Sequence, residues 1–216
     1  LIEISGVAAW RPILESYVVP SFQISTFSAT AGTTKEIGQS VTTPAFTATY
    51  NQTPTTATLA DTEGNPTENV ISSPTSFASD YNFSKTANNA TVTFTLSASN
   101  SSGSDTATVV MAWRPRTYYG IGAAGLSTEA DIEGLPSSQL LSSRSLTFSV
   151  TSGSGDYIYW AAPNSYSTPT FTVGGFAGGF VLVGTVSVTN TYGVTQTYQL
   201  WKSVNDNLGS TTVVVS

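Results

Sequence analysis

Apolar and polar positions alternate with a period of two through most of this chain. Val92-Thr-Phe94-Thr-Leu96-Ser-Ala98 sets Val, Phe, Leu and Ala on one face and hydroxyls on the other. That is the pattern of a β-strand with one buried face. The same alternation marks Phe46-Thr-Ala48-Thr-Tyr50, Leu146-Thr-Phe148-Ser-Val150, Tyr157-Ile-Tyr159-Trp160 and Thr185-Val-Ser-Val-Thr189. Threonine is frequent because its branched Cβ suits the pleat while its hydroxyl faces water. Turn signals separate the runs at short intervals: Asn51-Gln-Thr-Pro54, Glu63-Gly-Asn65-Pro66, Asn100-Ser-Ser-Gly103, Ser152-Gly-Ser-Gly155, Tyr192-Gly193 and Asn205-Asp-Asn-Leu-Gly209. Short strands at this spacing predict an all-β sandwich, with about seven strands between residues 22 and 113. One helical patch interrupts the pattern, Ser127-Thr-Glu-Ala-Asp-Ile-Glu-Gly-Leu135. Ser127 or Thr128 can cap it, its early acids suit the positive end, and Gly134-Leu-Pro136 stops it.

Composition narrows the chemistry. The 216 residues carry 13 acids and 7 bases, a net charge of −6, and a charged fraction of 9%, against the ~25% usual in a soluble domain. Apolar residues still make up 39%, enough for a core. The bases form no run, so the phosphate-tracking surface of a nucleic-acid binder is not expected. With no Cys and no His there are no disulfides, no thiolate or imidazole metal ligands and no ordinary Ser-His-Asp triad. No metal and no cofactor is expected. The chain opens at Leu1 without a visible signal peptide and reads as a fragment or processed product. The most apolar stretch, residues 176–188, holds three glycines and is too short to cross a bilayer as a helix.

Three motifs bear on chemistry. Gly120-Ile-Gly122-Ala-Ala-Gly125 has the dinucleotide-binding spacing but lacks both the βαβ unit and the acid about twenty residues on that such a site needs. Its glycines are expected to form a flexible inter-domain turn, with Trp113, Arg114, Pro115, Gly120 and Gly122 as the hinge. Asp61-Thr-Glu63-Gly-Asn65 begins like a calcium loop, but the bidentate acid's position is Ser72, so a solvated turn is the better reading. Gly174-Gly-Phe-Ala-Gly-Gly-Phe180 predicts a turn or bulge that lets Phe176 and Phe180 pack closely. The acids sit mostly in turns and nothing pairs two of them as a glycosidase needs.

The aromatic cluster Tyr157, Tyr159, Trp160 and Tyr166, with Tyr198 and Trp201 further on, is the candidate contact site. Such rings offer flat apolar faces with polar tips that suit sugars or protein partners. The competing reading is core or subunit interface, since strand alternation sends Tyr157 and Tyr159 to one face. Val7-Ala-Ala-Trp-Arg-Pro12 echoes Val110-Met-Ala-Trp-Arg-Pro115, either by chance or because both end a sandwich, with a domain upstream of Leu1.

At Ile37-Gly-Gln-Ser-Val-Thr-Thr-Pro-Ala-Phe-Thr-Ala-Thr-Tyr-Asn-Gln-Thr-Pro54 and Trp113-Arg-Pro-Arg-Thr-Tyr-Tyr-Gly120 the chain resembles the Ig-like domain of tailed-bacteriophage virion proteins. Tyr157-Ile-Tyr-Trp-Ala-Ala-Pro163, Gly174-Gly-Phe176 and Val188-Thr-Asn-Thr-Tyr-Gly-Val-Thr195 are similar to the terminal β domain that follows it. Tyr166-Ser167 stands where that pattern has Tyr-Gly. The resemblance implies an Ig-like sandwich over 22–115 and a second β-sandwich over 116–216; residues 1–21 match no part of it and read as an N-terminal strand or linker segment. It implies a non-enzymatic tail, baseplate or fibre component, assembled in the host cytoplasm and carried in the virion. The partners it implies are copies of itself, other virion proteins and a host surface glycan or protein, with no nucleic acid and no membrane insertion. The alternatives are a capsid decoration or head-appendage protein and, in another class, a carbohydrate-binding module or bacterial surface adhesin.

Overall fold

A computed structural model describes residues 19–216. The first copy of the Trp-Arg-Pro echo, at residues 7–12, and most of the 1–21 segment lie outside the described residues. Strands hold more than half of the rest, with one short helix, so the chain is all-β with sandwich architecture. It divides into two compact units, neither continuous in sequence: the first gathers the residues up to Gly32, Thr43–Tyr81 and Thr93–Val110, the second Thr33–Thr42, Asn82–Val92 and Met111–Ser216.

In the first unit, β1 (Ile24–Ala29), β4 (Ala45–Tyr50) and β7 (Ser76–Ala78) form one sheet. Strands β10 (Gly103–Arg114), β9 (Thr91–Asn100), β5 (Thr56–Asp61) and β6 (Glu68–Asn69) neighbour one another in that order in the other. The predicted alternation holds in β9, where Phe94, Leu96 and Ala98 are buried and the residues between them are half-buried. Phe46 of β4 meets Phe94 with ring centroids 4.8 Å apart and Phe27 of β1 at 5.4 Å, closing the core between the sheets. Asp61 accepts from the Glu63 N–H at 2.7 Å and from Asn65 Nδ2 at 2.9 Å, so the calcium-like sequence is a self-satisfied turn.

The second unit has two main sheets. One runs in the order β12 (Ser137–Leu140), β11 (Arg116–Ala123), β14 (Asp156–Pro163), β18 (Thr195–Ser203), β17 (Phe180–Thr189). The other runs β13 (Leu146–Ser152), β19 (Gly209–Val215), β15 (Phe171–Val173), β16 (Phe176–Ala177). The central strand β14 is buried from Ile158 to Pro163. Ile158, Trp160 and Ala162 pack with Phe148, Phe171 and Val213 of the second sheet. Tyr159 and Ala161 point the other way, into a cluster with Tyr118, Leu200 and Ile132. Ile132 comes from α1 (Glu129–Glu133), the predicted helical patch. Covering both faces of β14 is why its sequence reads as a near-continuous apolar run.

Helix α1 starts where its sequence indicates. The Thr128 hydroxyl accepts from the Asp131 N–H, and the Asp131 carboxylate accepts from the Ser127 and Thr128 N–H groups, both at 2.9 Å. Those donors, Ser127 first, hold the Asp131 carboxyl below its ordinary value.

Two smaller pairings complete this unit. β2 (Thr34–Glu36) lies parallel to residues 112–114 of β10, and β3 (Val41–Thr42) pairs with β8 (Asn82–Phe83). Glu36 is buried and receives Arg116 Nη2 at 2.6 Å and Nε at 3.2 Å, while Arg116 Nη1 donates to Ser138 Oγ at 3.0 Å.

The polar strand faces need few charges because their hydroxyls pair across strands. Thr26 meets Thr49 at 2.8 Å and Thr56 meets Ser99 at 2.7 Å in the first unit; Ser149 meets Thr212 at 3.0 Å and Thr151 meets Ser210 at 2.9 Å in the second.

Two sequence expectations are corrected. Gly120 and Gly122 lie inside β11, opposite Tyr159 and Tyr157 of β14, and are no flexible turn. A Cβ on Gly120 would come within 2.4 Å of Pro136 Cγ, and one on Gly122 within 2.6 Å of Leu126 Cδ1, so close packing explains both. Phe176 does not pack on Phe180. Phe180 stacks on Phe171 at 4.1 Å, whereas Phe176 is 81% exposed.

Candidate assembly surface

The aromatics expected to form a contact platform are mostly interior, and β14 and its sheet separate them. Trp160 and Tyr166 belong to the cluster under the second sheet, with Trp201 at its margin. Tyr159 and Tyr198 belong to the cluster under α1, with Tyr157 at its margin. The alternation argument placed Tyr157 and Tyr159 correctly on one face; the helix covering that face carries no strand-like signal. Their polar tips are spent internally. Tyr159, Tyr166 and Tyr198 donate to the carbonyls of Ala123, Leu141 and Arg116 at 2.7–2.8 Å. Burial pushes the Tyr166 and Tyr118 hydroxyls up to about 12 and Tyr198 further still. Trp201 Nε1 donates to Gln199 at 3.1 Å, and Lys202 sits 4.3 Å over the Tyr157 ring. Trp160 Nε1 is buried without a partner.

The expected hinge residues all fall within the second unit. Trp113 is fully buried in β10, with Nε1 donating to the Gln39 carbonyl at 2.7 Å, and the Arg114 carbonyl accepts from the Ile37 N–H at 3.1 Å. Pro115 is the single residue between β10 and β11.

A polar recess of about 460 Å³ opens in the same unit beside Arg144, walled by Asn88, Asn89, Ser143, Ser165 and Ser167. Arg144 donates to Ser167, Asn88 to Ser165 at 2.8 Å, and Asn89 to the Ser142 carbonyl at 2.9 Å. No acid lines it.

The most unusual surface lies in the most apolar stretch of the chain, where no contact site was expected. Strand β17 is the outer strand of its sheet. On it Leu182 is 50% exposed, and Val181 and Val183 are also exposed, with Val204 next to the start of the strand through its hydrogen bond to Gly179. No Asp, Glu, Lys, Arg or Pro occurs from Phe176 to Thr189. Edge strands are ordinarily blunted by charge, proline or brevity; this one is ten residues long. The sequence did carry a signal. Phe180-Val-Leu-Val183 is an unbroken apolar run, which reads as a strand covered on both faces, yet here it stands at a rim.

Its register is well defined. Phe180 pairs with Ser203 and Leu182 with Trp201, and after a one-residue bulge Gly184 pairs with Leu200 and Thr189 with Thr195. Val204 N–H donates to the Gly179 carbonyl at 2.9 Å, and Asn190 N–H to the Val194 carbonyl at 3.1 Å. Alternation from these two anchors points the amides of Phe180 and Leu182, and then of Thr185, Ser187 and Thr189, away from β18. At the far end the Thr189 N–H is taken by Glu129 Oε1 of α1 at 2.5 Å. The edge is therefore guarded at Thr189 and open from Phe180 to Ser187. Gly178 and Gly179, with φ of 96° and 83°, carry the chain into it from β16.

No family model matches the chain, and no curated protein or solved structure matches it either.

Proposed function

We propose that this chain is a non-enzymatic building block of a tailed-bacteriophage virion, a tail, baseplate or fibre component that works by being joined to other subunits. The observation that carries the reading is the open rim of β17: a long, uncharged, apolar strand edge has its natural use in pairing with another chain. The resemblance of residues 37–54, 113–120, 157–163, 174–176 and 188–195 to phage virion domains is what suggests the particle. The scarcity of charge fits the same role, because hydroxyl pairs replace ions on the strand faces. A capsid decoration or head-appendage position is the second placement within the same reading.

Contact with a host glycan is assigned to the Arg144 recess and not to the buried aromatics, since a sugar carboxylate or hydroxyl could exchange for the Ser167 and Ser165 hydroxyls that its guanidinium and Asn88 amide now hold. That recess is also what favours the alternative of a carbohydrate-binding module.

The test is mass spectrometry of purified particles from a host carrying the gene. The chain should appear in them in fixed proportion to the major structural proteins. Its absence from particles, with normal particle yield after deletion of the gene, would overturn the reading.

A further inference from the structure

We infer that the partner of β17 is β17 of a second copy, paired antiparallel about a two-fold axis that passes between Val183 and Gly184. The inference rests on the assembly reading and names the partner and the register.

The bulge is what makes self-pairing possible in this register. Before it, the amides free to pair outward are on even-numbered residues, Phe180 and Leu182; after it they are on odd-numbered ones, Thr185 and Ser187. A two-fold axis between Val183 and Gly184 sets Phe180 opposite Ser187 and Leu182 opposite Thr185 of the second copy. Each position then meets a residue that also points outward. In a strand without the extra residue, outward positions share one parity and this axis would bring outward amides against inward ones. The side chains agree as well. Leu182 lies opposite Trp201 and Thr185 opposite Gln199, and Trp201 and Gln199 alternate on one face of β18. The paired residues of the two copies therefore share a face.

The self-complementary register points to a second copy, and charge and area permit one. Each chain carries a net charge of −6, so copies repel at long range, but the stretch from Phe176 to Thr189 holds no charge and gives no local repulsion. Val181, Leu182, Val183 and Val204 are exposed and together offer on the order of 300 Å² of apolar surface per copy, the lower end of the range in which patches on monomers are often functional. Adding the backbone of an eight-residue pairing brings this toward the ~600 Å² per partner at the small end of specific interfaces. The guard at Thr189 limits the pairing to the open segment, which is the segment the two-fold register uses.

The chain has no cysteine, so cross-linking reads the register directly. Leu182→Cys and Thr185→Cys variants of the full chain are prepared separately. Mixed under mild oxidation, they should give a disulfide-linked heterodimer, while each alone gives none, because identical positions sit about three residues apart along the strand, roughly 10 Å. In parallel, Thr185→Pro removes an amide that the monomer's own ladder does not use, so the fold should persist and the dimer seen by sedimentation equilibrium should be lost. A monomer at 100 μM, a dimer without the Leu182–Thr185 cross-link, or a dimer unaffected by Thr185→Pro in a folded protein would each overturn the inference. A chain that pairs only with another virion protein would overturn it too and leave the assembly reading standing; absence from particles removes that reading itself.

Discussion

Trp160 separates a ligand platform from a core in a single pair of substitutions. It is 0% exposed, sits on the central strand β14 and meets Phe171 edge-on with ring centroids 5.8 Å apart. Replacing it by Ala removes a large buried aromatic, which costs about 3–5 kcal/mol once the cavity is included. Replacing it by Phe removes only the pyrrole edge. The two lost carbons cost about 1.5 kcal/mol of transfer free energy, but the edge includes Nε1, which is buried without a partner. Removing an unsatisfied buried donor recovers about 1–3 kcal/mol. The two terms nearly cancel, so Trp160→Phe should lie within about 1 kcal/mol of the native protein while Trp160→Ala falls about 4 kcal/mol below it. Urea unfolding followed by far-UV circular dichroism measures both, fitted with two transitions if the two units melt apart. If Trp160→Ala were as stable as the native protein, the residue would not be core and the platform reading would return. If Trp160→Phe cost as much as Trp160→Ala, the argument from the orphaned indole N–H would fail.

Three further outcomes follow from the second unit. Gly38→Ala should destabilise by about 2 kcal/mol or more in the same urea assay, since φ is +82° and the new Cβ would meet Val194 Cγ2 at 2.5 Å; an unchanged midpoint would show that the β17–β18 turn yields freely. Arg116→Met leaves the buried Glu36 carboxylate without its two donors; because Arg116 is one-third exposed, about 2 kcal/mol is expected where a fully buried pair would lose 3–5, and adding Glu36→Gln should recover part of it. Tyr118 and Tyr166 ionise near 12 in the fold and near 10 when unfolded, so the unfolded chain releases its protons first. Stability should therefore be whole below pH ~10 and fall as pH rises from 10 to 12, with the late tyrosines visible as delayed absorbance at 295 nm; a flat urea midpoint across that window would refute the assignment.

What the sequence could and could not say follows from the range of each signal. Alternation is local, and it located β4, β9, β13, β14 and the outer half of β17. The helix was legible because its capping box lies within five residues, Ser127 to Asp131. Burial of a second face is not local. Tyr159 reads both as a contact residue and as core, because nothing near it in sequence announces that Ile132, twenty-seven positions earlier, lies over it. The two glycines of β11 failed for the same reason: their need for small side chains comes from Pro136 and Leu126, beyond the motif. The rim of β17 is the instructive miss. An apolar run of four reads as interior, and only sheet order tells an interior strand from an outer one. In β14 the two kinds of evidence agree, because Ile158-Tyr-Trp-Ala-Ala is apolar and central. In β17 they disagree, since Phe180-Val-Leu-Val183 has a central strand's composition at an outer strand's position. The proposed strand from another copy would remove that disagreement, because pairing along the rim would make β17 central.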